Sequence, residues 1–244
     1  SFDFIITLFS GSISTSSTFV INTDLMSFLA STSRIFLNIK SVFSYSFQSF
    51  YLAGSFLLLF IFLPTFYNLS LGLALSTIGL VILLSRFFDV ISDIFIGYLS
   101  EKRILNGYSK KNQIILGLVI FIFSLIGLYV VQPTNIFLFV FYYNLALISY
   151  SIAIIPYDSI VIDQKKILNK RFQLATVKEI FTISGVVAAL VIPTAISKYL
   201  SLDLLDPVVI QISGYIIISL ASFGVLIFYY LYDDEINYLS SSIK

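Results

Sequence analysis

The chain has 244 residues, of which 58% are hydrophobic and 11% charged, and its mean hydropathy is +0.99. A soluble core cannot hide so much apolar surface, so the composition predicts an integral membrane protein. The net charge of +1 carries no nucleic-acid signature, and the lack of Cys and His excludes disulfides, thiolate or imidazole metal sites and most hydrolase chemistry.

Residues 1–42 are predicted to form a loosely ordered or interfacial N-terminal tail. They are rich in Ser and Thr, and their apolar pieces are too short to span a membrane. Because the first residue is Ser1 and the only methionine is Met26, we expect either a fragment or a true start at Met26. Arg34 and Lys40 are the only basic residues of the tail, which disfavours a transit peptide.

About six apolar segments follow, and crossing roughly 30 Å of hydrocarbon takes about 20 residues each. They are predicted at 47–67, 72–99, 113–131, 136–161, 175–197 and 208–231. The predicted fold class is therefore all-α, a polytopic membrane helix bundle of about six transmembrane helices. This bundle is expected to occupy 43–233, with the start of a cytoplasmic linker at 234–244.

Basic residues are concentrated in the connections after the second and fourth segments. These residues are Lys102, Arg103, Lys110, Lys111, Lys165, Lys166, Lys170 and Arg171. In the opposite connections only Lys198 is basic. The positive-inside rule then places both termini in the cytoplasm. We expect the bundle to lie in the cell (inner) membrane.

Three charges interrupt the second segment, "LLSRFFDVISDIFIGYLSEKR". Arg86, Asp89, Asp93 and Gly97 share one face at about 100° per residue, and that face must look into the bundle or a water-filled cavity. Two carboxylates and one guanidinium sum to −1, which one Na⁺ or H⁺ neutralises. The sequence thus predicts a cation site, and the alternative is an internal salt bridge of Arg86 with one aspartate that only fastens the bundle.

The same segment ends in a short motif that reaches the cytoplasmic connection. Gly97, expected to permit a close backbone approach, is followed four residues later by Glu101 and then by Lys102 and Arg103. The plain interpretation is an ordinary positive-inside flank. The pattern also resembles the loop signature of the major facilitator superfamily, which implies a conformational-switch loop.

A second stretch, "SIAIIPYDSIVIDQKKILNKRFQLATVKEIFTISGVVAALVIP", carries a more specific resemblance. Together with "RFFDVISDIFIGYLSEK", it is similar to the glycoside/pentoside/hexuronide:cation symporters, the melibiose permease-like group of the major facilitator superfamily. The likeness runs from about Ser44 to the end of the chain and covers the N-terminal six of that family's twelve helices.

The resemblance implies roles for individual residues. Asp89 and Asp93 correspond to the family's cation-binding carboxylates. Lys178 falls where an arginine lines the cavity, and Tyr157 falls in the turn of helix four. The substrate cavity is expected to include Lys178, Asp158, Tyr157 and Tyr150.

Two departures concern the sugar-binding half of the site. Ala53 and Ile154 stand where the family has carboxylates, and Asp158, one turn beyond Ile154, is expected to substitute in part. The neighbouring Lys178 and Glu179 are expected either to face each other across a bundle seam or to form an ordinary interfacial pair.

We therefore expect Na⁺- or H⁺-coupled secondary transport of a sugar or related solute, with no catalytic residue and no cofactor beyond the coupling ion. The expected partners are the bilayer, the solute and a second half: a missing C-terminal half, a separately encoded half or a homodimer. One alternative is a non-transporting remnant of a split or truncated gene. A remote alternative is an intramembrane aspartyl protease with Tyr157 and Asp158, although its partner Gly-x-Gly-Asp motif does not occur.

Overall fold

The computed structural model describes residues 40–163 and 168–232. The predicted N-terminal tail lies outside this part of the chain, except for 40–42, which are helical. The predicted linker at 234–244 and the basic residues Lys165 and Lys166 lie outside it as well. The fold is thus described from the first helix to the end of the last.

Within these ranges the chain forms six helices and no strand. Their bounds are α1 at 40–71, α2 at Leu75–Leu105, α3 at Lys110–Val131, α4 at Ile136–Asp163, α5 at Leu168–Leu200 and α6 at Pro207–Leu231. Each predicted segment coincides with one helix, which extends beyond the segment at one end or both. Because a helix satisfies its own backbone polar groups, it can continue beyond the apolar segment that is recognised in the sequence.

Five of the helices in the described part are long and apolar enough to cross a membrane: α1, α3, α4, α5 and α6. The charged helix α2 is not among them by that measure, although its 31 residues extend about 46 Å at 1.5 Å per residue. It packs on α1 and α4 and so belongs to the same bundle. The predicted fold class, an all-α polytopic membrane helix bundle, is confirmed.

Successive helices run up and down, which brings their basic ends together. Helices α3 and α4 form the most extensive pair, with α2 packed on α4 and α6 on α3 and α5. Lys110 at the start of α3 donates to Ser159 Oγ near the end of α4 at 2.8 Å. Lys111 donates to the carbonyl of Tyr232 just after α6. We call this end of the bundle, which also holds Lys102 and the start of α1, the basic end.

Small residues allow two of the helix pairs to approach closely. A Cβ atom on Gly117 of α3 would lie 2.6 Å from the backbone nitrogen of Ala153 in α4. A Cβ atom on Gly185 of α5 would overlap the backbone carbonyl of Phe50 in α1. In lipid, helix association depends on such close packing because apolar surface gains little from leaving the bilayer.

Two helices contain one wide turn each. In α1 the π turn spans Leu58–Phe62, and in α3 it spans Gly127–Val131 and ends the helix. A π turn inserts an extra residue into the helical repeat and changes the direction of the side chains around it. The central residue of the turn in α1 is Phe60, which contacts Arg86 of the charged helix α2.

Candidate functional site

The three charges of α2 lie on the side of the helix that turns toward α1 and α4. Arg86, Asp89 and Asp93 are each partly buried, whereas the adjacent Phe87 and Phe88 are 70% and 63% exposed. The separation follows from the helical repeat, which puts residues three, four and seven apart on one face. The charges therefore face the helix bundle, while the neighbouring aromatic side chains face outward.

Arg86 interacts with its own helix and with α1. Its Nη1 donates to Asp89 Oδ2 at 3.2 Å, and the side chains are 39% and 15% exposed. The Cζ atom lies 3.7 Å from the ring centroid of Phe60 and 5.3 Å from that of Phe56. This is the salt bridge with one aspartate that the fastening alternative predicts. It lies within α2, and the contact with Phe60 joins α2 to α1.

Asp93 stands apart from this pair. Its Oδ1 is buried and has no hydrogen-bond partner among the described residues. A buried carboxylate oxygen without a partner is costly, and native proteins satisfy nearly all such groups with protein, water or an ion. The α2 face thus combines Asp89, which pairs with Arg86, and Asp93, whose buried Oδ1 has no hydrogen-bond partner in the described part of the chain.

A cavity of about 430 Å³ lies between α2 and α4 beside this face. Asp89 and three neutral polar residues, Ser85, Ser92 and Asn144, line part of it. The other lining residues are apolar, and Asp93 is not among them. The Asn144 Nδ2 donates to the carbonyl of Val140 at 2.8 Å, which leaves the amide oxygen as an acceptor. Carboxylate, hydroxyl and amide oxygens are the hard ligands that suit an alkali cation.

These three polar residues were not predicted from the sequence. An Asn within a long apolar helix is a usable signal, because polar side chains in the bilayer seek a partner or line a cavity. Serines are a weaker signal, since a serine in a helix satisfies itself by donating to the preceding turn, as Ser149 does to the carbonyl of Leu145.

A second cluster joins α4 to α5 near the basic end. Lys178 Nζ lies 2.5 Å from Asp158 Oδ1, and the side chains are 18% and 50% exposed. The same Nζ is 5.3 Å from the centroid of the Tyr157 ring. Glu179 is exposed, and Lys178 pairs instead with Asp158 across the seam between α4 and α5.

The two predicted cavity tyrosines occupy different surroundings. Tyr157 is 1% exposed, and its hydroxyl is engaged by Ser49 and by the carbonyl of Tyr45. Tyr150 is half-buried, with its ring 5.2 Å from that of Phe56. Since Phe56 also lies beside Arg86, aromatic side chains connect Tyr150 to the charged face of α2.

The predicted switch loop extends from the end of α2. Glu101, Lys102 and Arg103 are exposed, and the two basic residues lie in the last turn of α2, where cations complement the helix dipole. The expectation that Gly97 permits a close backbone approach is wrong within the described residues, because a Cβ atom there would meet nothing within 4 Å.

Comparison with known proteins identifies a matching family. A family model described as MFS/sugar transport protein matches residues 44–242. This range includes the charged face of α2, the cavity beside it and the pair of Asp158 and Lys178. No curated protein matches the chain.

Proposed function

The chain belongs to the MFS/sugar transport protein family, and from that premise we propose that it carries a sugar or related small organic solute across a membrane, coupled to Na⁺ or H⁺. In this proposal the chain is the N-terminal half of a twelve-helix transporter of the melibiose permease-like group. The second half is a C-terminal continuation, a separate chain or another copy of this chain. Membrane insertion follows from the five spanning helices and the family.

The observation that supports cation coupling best is the unequal state of the two aspartates. Arg86 compensates one carboxylate, Asp89, and the buried Oδ1 of Asp93 has no hydrogen-bond partner in the described part of the chain. Binding of one monovalent cation would neutralise the remaining charge and remove the repulsion between the carboxylates. A carboxylate that needs a mobile partner, within a bundle in lipid, is typical of an ion pathway.

Coupling to the solute then follows from linkage. If the cation favours the conformation that binds solute, solute must favour cation binding by the same factor. Tyr150 lies next to Phe56, which contacts Arg86, so the proposed solute cavity adjoins the cation site. Asp158 and Lys178 are its proposed polar lining, and Tyr157 holds the adjoining turn of α4.

In the proposed orientation, the basic end lies on the cytoplasmic side of the cell membrane. Lys102, Arg103, Lys110 and Lys111 all lie at that end, whereas Lys198 is near the opposite end of α5. Positive residues are retained on the cytoplasmic side. Glu101, Lys102 and Arg103 would then act as a cytoplasmic loop whose ion pairs stabilise one conformation.

The proposal is tested by uptake. The full-length protein is reconstituted in vesicles, and entry of a panel of radiolabelled mono- and disaccharides is measured with an inward Na⁺ gradient, an inward H⁺ gradient or neither. We expect one gradient to drive accumulation, and Asp93→Asn to abolish its effect. Asp203→Asn, which changes an exposed acid between α5 and α6, is the matched control and should transport normally.

Two results would count against the proposal. Gradient-driven uptake that survives Asp93→Asn would remove the cation site from α2. Absence of uptake for every sugar, with the inserted protein and its second half present, would favour the non-transporting remnant.

A further inference from the structure

The guanidinium of Arg86 is held from two sides. Asp89 accepts its hydrogen bond at 3.2 Å, and Phe60 presents a ring whose centroid lies 3.7 Å from Cζ. A guanidinium over an aromatic face is attracted by the negative face of the ring, most strongly where water is scarce. Arg86 therefore divides its interactions between a carboxylate of α2 and a ring of α1.

The local backbone of α1 brings two rings to the same cation. Phe60 is the central residue of the π turn Leu58–Phe62, and its ring lies 4.3 Å from that of Phe56, one turn earlier. Phe56 also lies 5.3 Å from the Cζ of Arg86. Because π turns redirect side chains and recur at functional sites, this irregularity in α1 is an observation independent of the charges in α2.

We infer that Phe60 is a positioning residue for the cation site, which keeps Arg86 from closing on Asp89 as a two-pronged ion pair. Pairs of arginine and carboxylate frequently form two parallel hydrogen bonds. Here the hydrogen bond uses Nη1 and Oδ2, and the ring holds the guanidinium on the α1 side. Asp89, which lines the cavity between α2 and α4, thus retains capacity for an incoming cation.

This inference rests on the proposed function, and its consequence is a change in cation affinity. Without the ring, Arg86 is free to align fully with Asp89 and to compete with Na⁺ or H⁺ for the carboxylate. Phe60→Leu should therefore weaken cation binding about tenfold, which corresponds to about 1.4 kcal/mol. Phe60→Tyr keeps an aromatic face and should bind the cation as the wild type does.

The experiment measures cation binding directly on the purified full-length protein in nanodiscs. Bound ²²Na⁺ is titrated at constant ionic strength, and protons taken up after an acid pulse are followed with an indicator dye. Asp89→Asn defines the signal that belongs to the site. Phe141→Leu, at a 55% exposed phenylalanine of α4, controls for loss of an aromatic residue elsewhere.

A merely structural role for Phe60 is distinguished by a double-mutant cycle. In an Arg86→Gln background no guanidinium remains to be positioned, so adding Phe60→Leu should leave the cation affinity unchanged. If Phe60→Leu changes the cation affinity less than about threefold, or by the same factor in the wild-type and Arg86→Gln backgrounds, the inference is overturned and the proposed function stands. If Asp89→Asn binds Na⁺ and takes up protons as the wild type does, the proposed function is overturned and the inference with it.

Discussion

Tyr157 and Tyr45 exchange hydrogen bonds across the contact between α4 and α1. Each hydroxyl donates to the backbone carbonyl of the other residue at 2.9 Å, and the rings stack with centroids 4.3 Å apart. The Tyr157 hydroxyl also lies 2.6 Å from Ser49 Oγ. Since its single proton goes to Tyr45, Ser49 is the donor in that contact.

The first prediction concerns this junction. Tyr157→Phe keeps the stacked ring but removes the hydroxyl that bonds Ser49 and Tyr45, leaving the buried Ser49 hydroxyl without this acceptor. We expect a loss of about 1–3 kcal/mol of unfolding free energy. Unfolding in a denaturing detergent, followed by far-UV circular dichroism, measures it. The control Tyr199→Phe, at an 89% exposed position, should have no effect, and equal stability of both variants would contradict the prediction.

The second prediction concerns the ion pair between α4 and α5. Reversing one charge, by Asp158→Lys or by Lys178→Asp, places like charges together and should destabilise the fold, whereas the double reversal restores attraction. Because Asp158 is half exposed, the coupling energy should be at most about 1 kcal/mol. A double-mutant cycle of unfolding free energies tests this. Additive single effects would mean that the pair contributes nothing.

The third prediction concerns the partly buried carboxylate of Asp93. Asp93→Asn removes a negative charge whose Oδ1 lacks a hydrogen-bond partner within the described residues. We expect the variant to gain about 1–3 kcal/mol of stability in the absence of Na⁺ at neutral pH, while losing the response to the cation. Thermal unfolding with NaCl or choline chloride measures both. A less stable, Na⁺-responsive variant would contradict the prediction.

The fourth prediction concerns the crossing of α1 and α5. Gly185→Ala should force the two helices apart, because its Cβ would overlap the carbonyl of Phe50. Overpacking of this kind costs about 1–3 kcal/mol. Gly79→Ala in α2 is the matched control, since a Cβ there meets nothing within 4 Å, and it should be neutral or slightly stabilising. The midpoint of unfolding is measured for both variants. An unchanged midpoint in Gly185→Ala would show that the helix crossing adapts freely to the added methyl group.

The fifth prediction concerns the last turn of α6. Lys111 donates to the carbonyl of Tyr232, and its Nζ lies 5.7 Å from the ring of Tyr229. Lys111→Met keeps most of the side-chain length but removes the charge that complements the helix C-terminus, so it should cost about 0.3–1 kcal/mol. Hydrogen exchange of the final α6 amides should accelerate. Lys198→Met, at an exposed site near the end of α5, is the control and should leave these amides unchanged.

The sequence by itself determined the fold class, the six helices and the face of α2 on which the charges lie. Apolar length is a local property, and the helical repeat fixes which residues share a face, so Arg86, Asp89 and Asp93 were identified together without a structure. The family resemblance to sugar transporters was likewise visible in short motifs, and the family match extends over residues 44–242.

Only the tertiary structure decided which partner each charge receives. Arg86 meets Phe60, which lies in a π turn of another helix, Lys178 pairs with Asp158 rather than facing Glu179, and the cavity beside Asp89 is also lined by Asn144 of α4. The physical reason is that these partners lie far apart in sequence, and their meeting depends on helix crossings set by contacts such as that of Gly185 with Phe50. A periodic pattern defines a face, whereas packing determines what that face contacts.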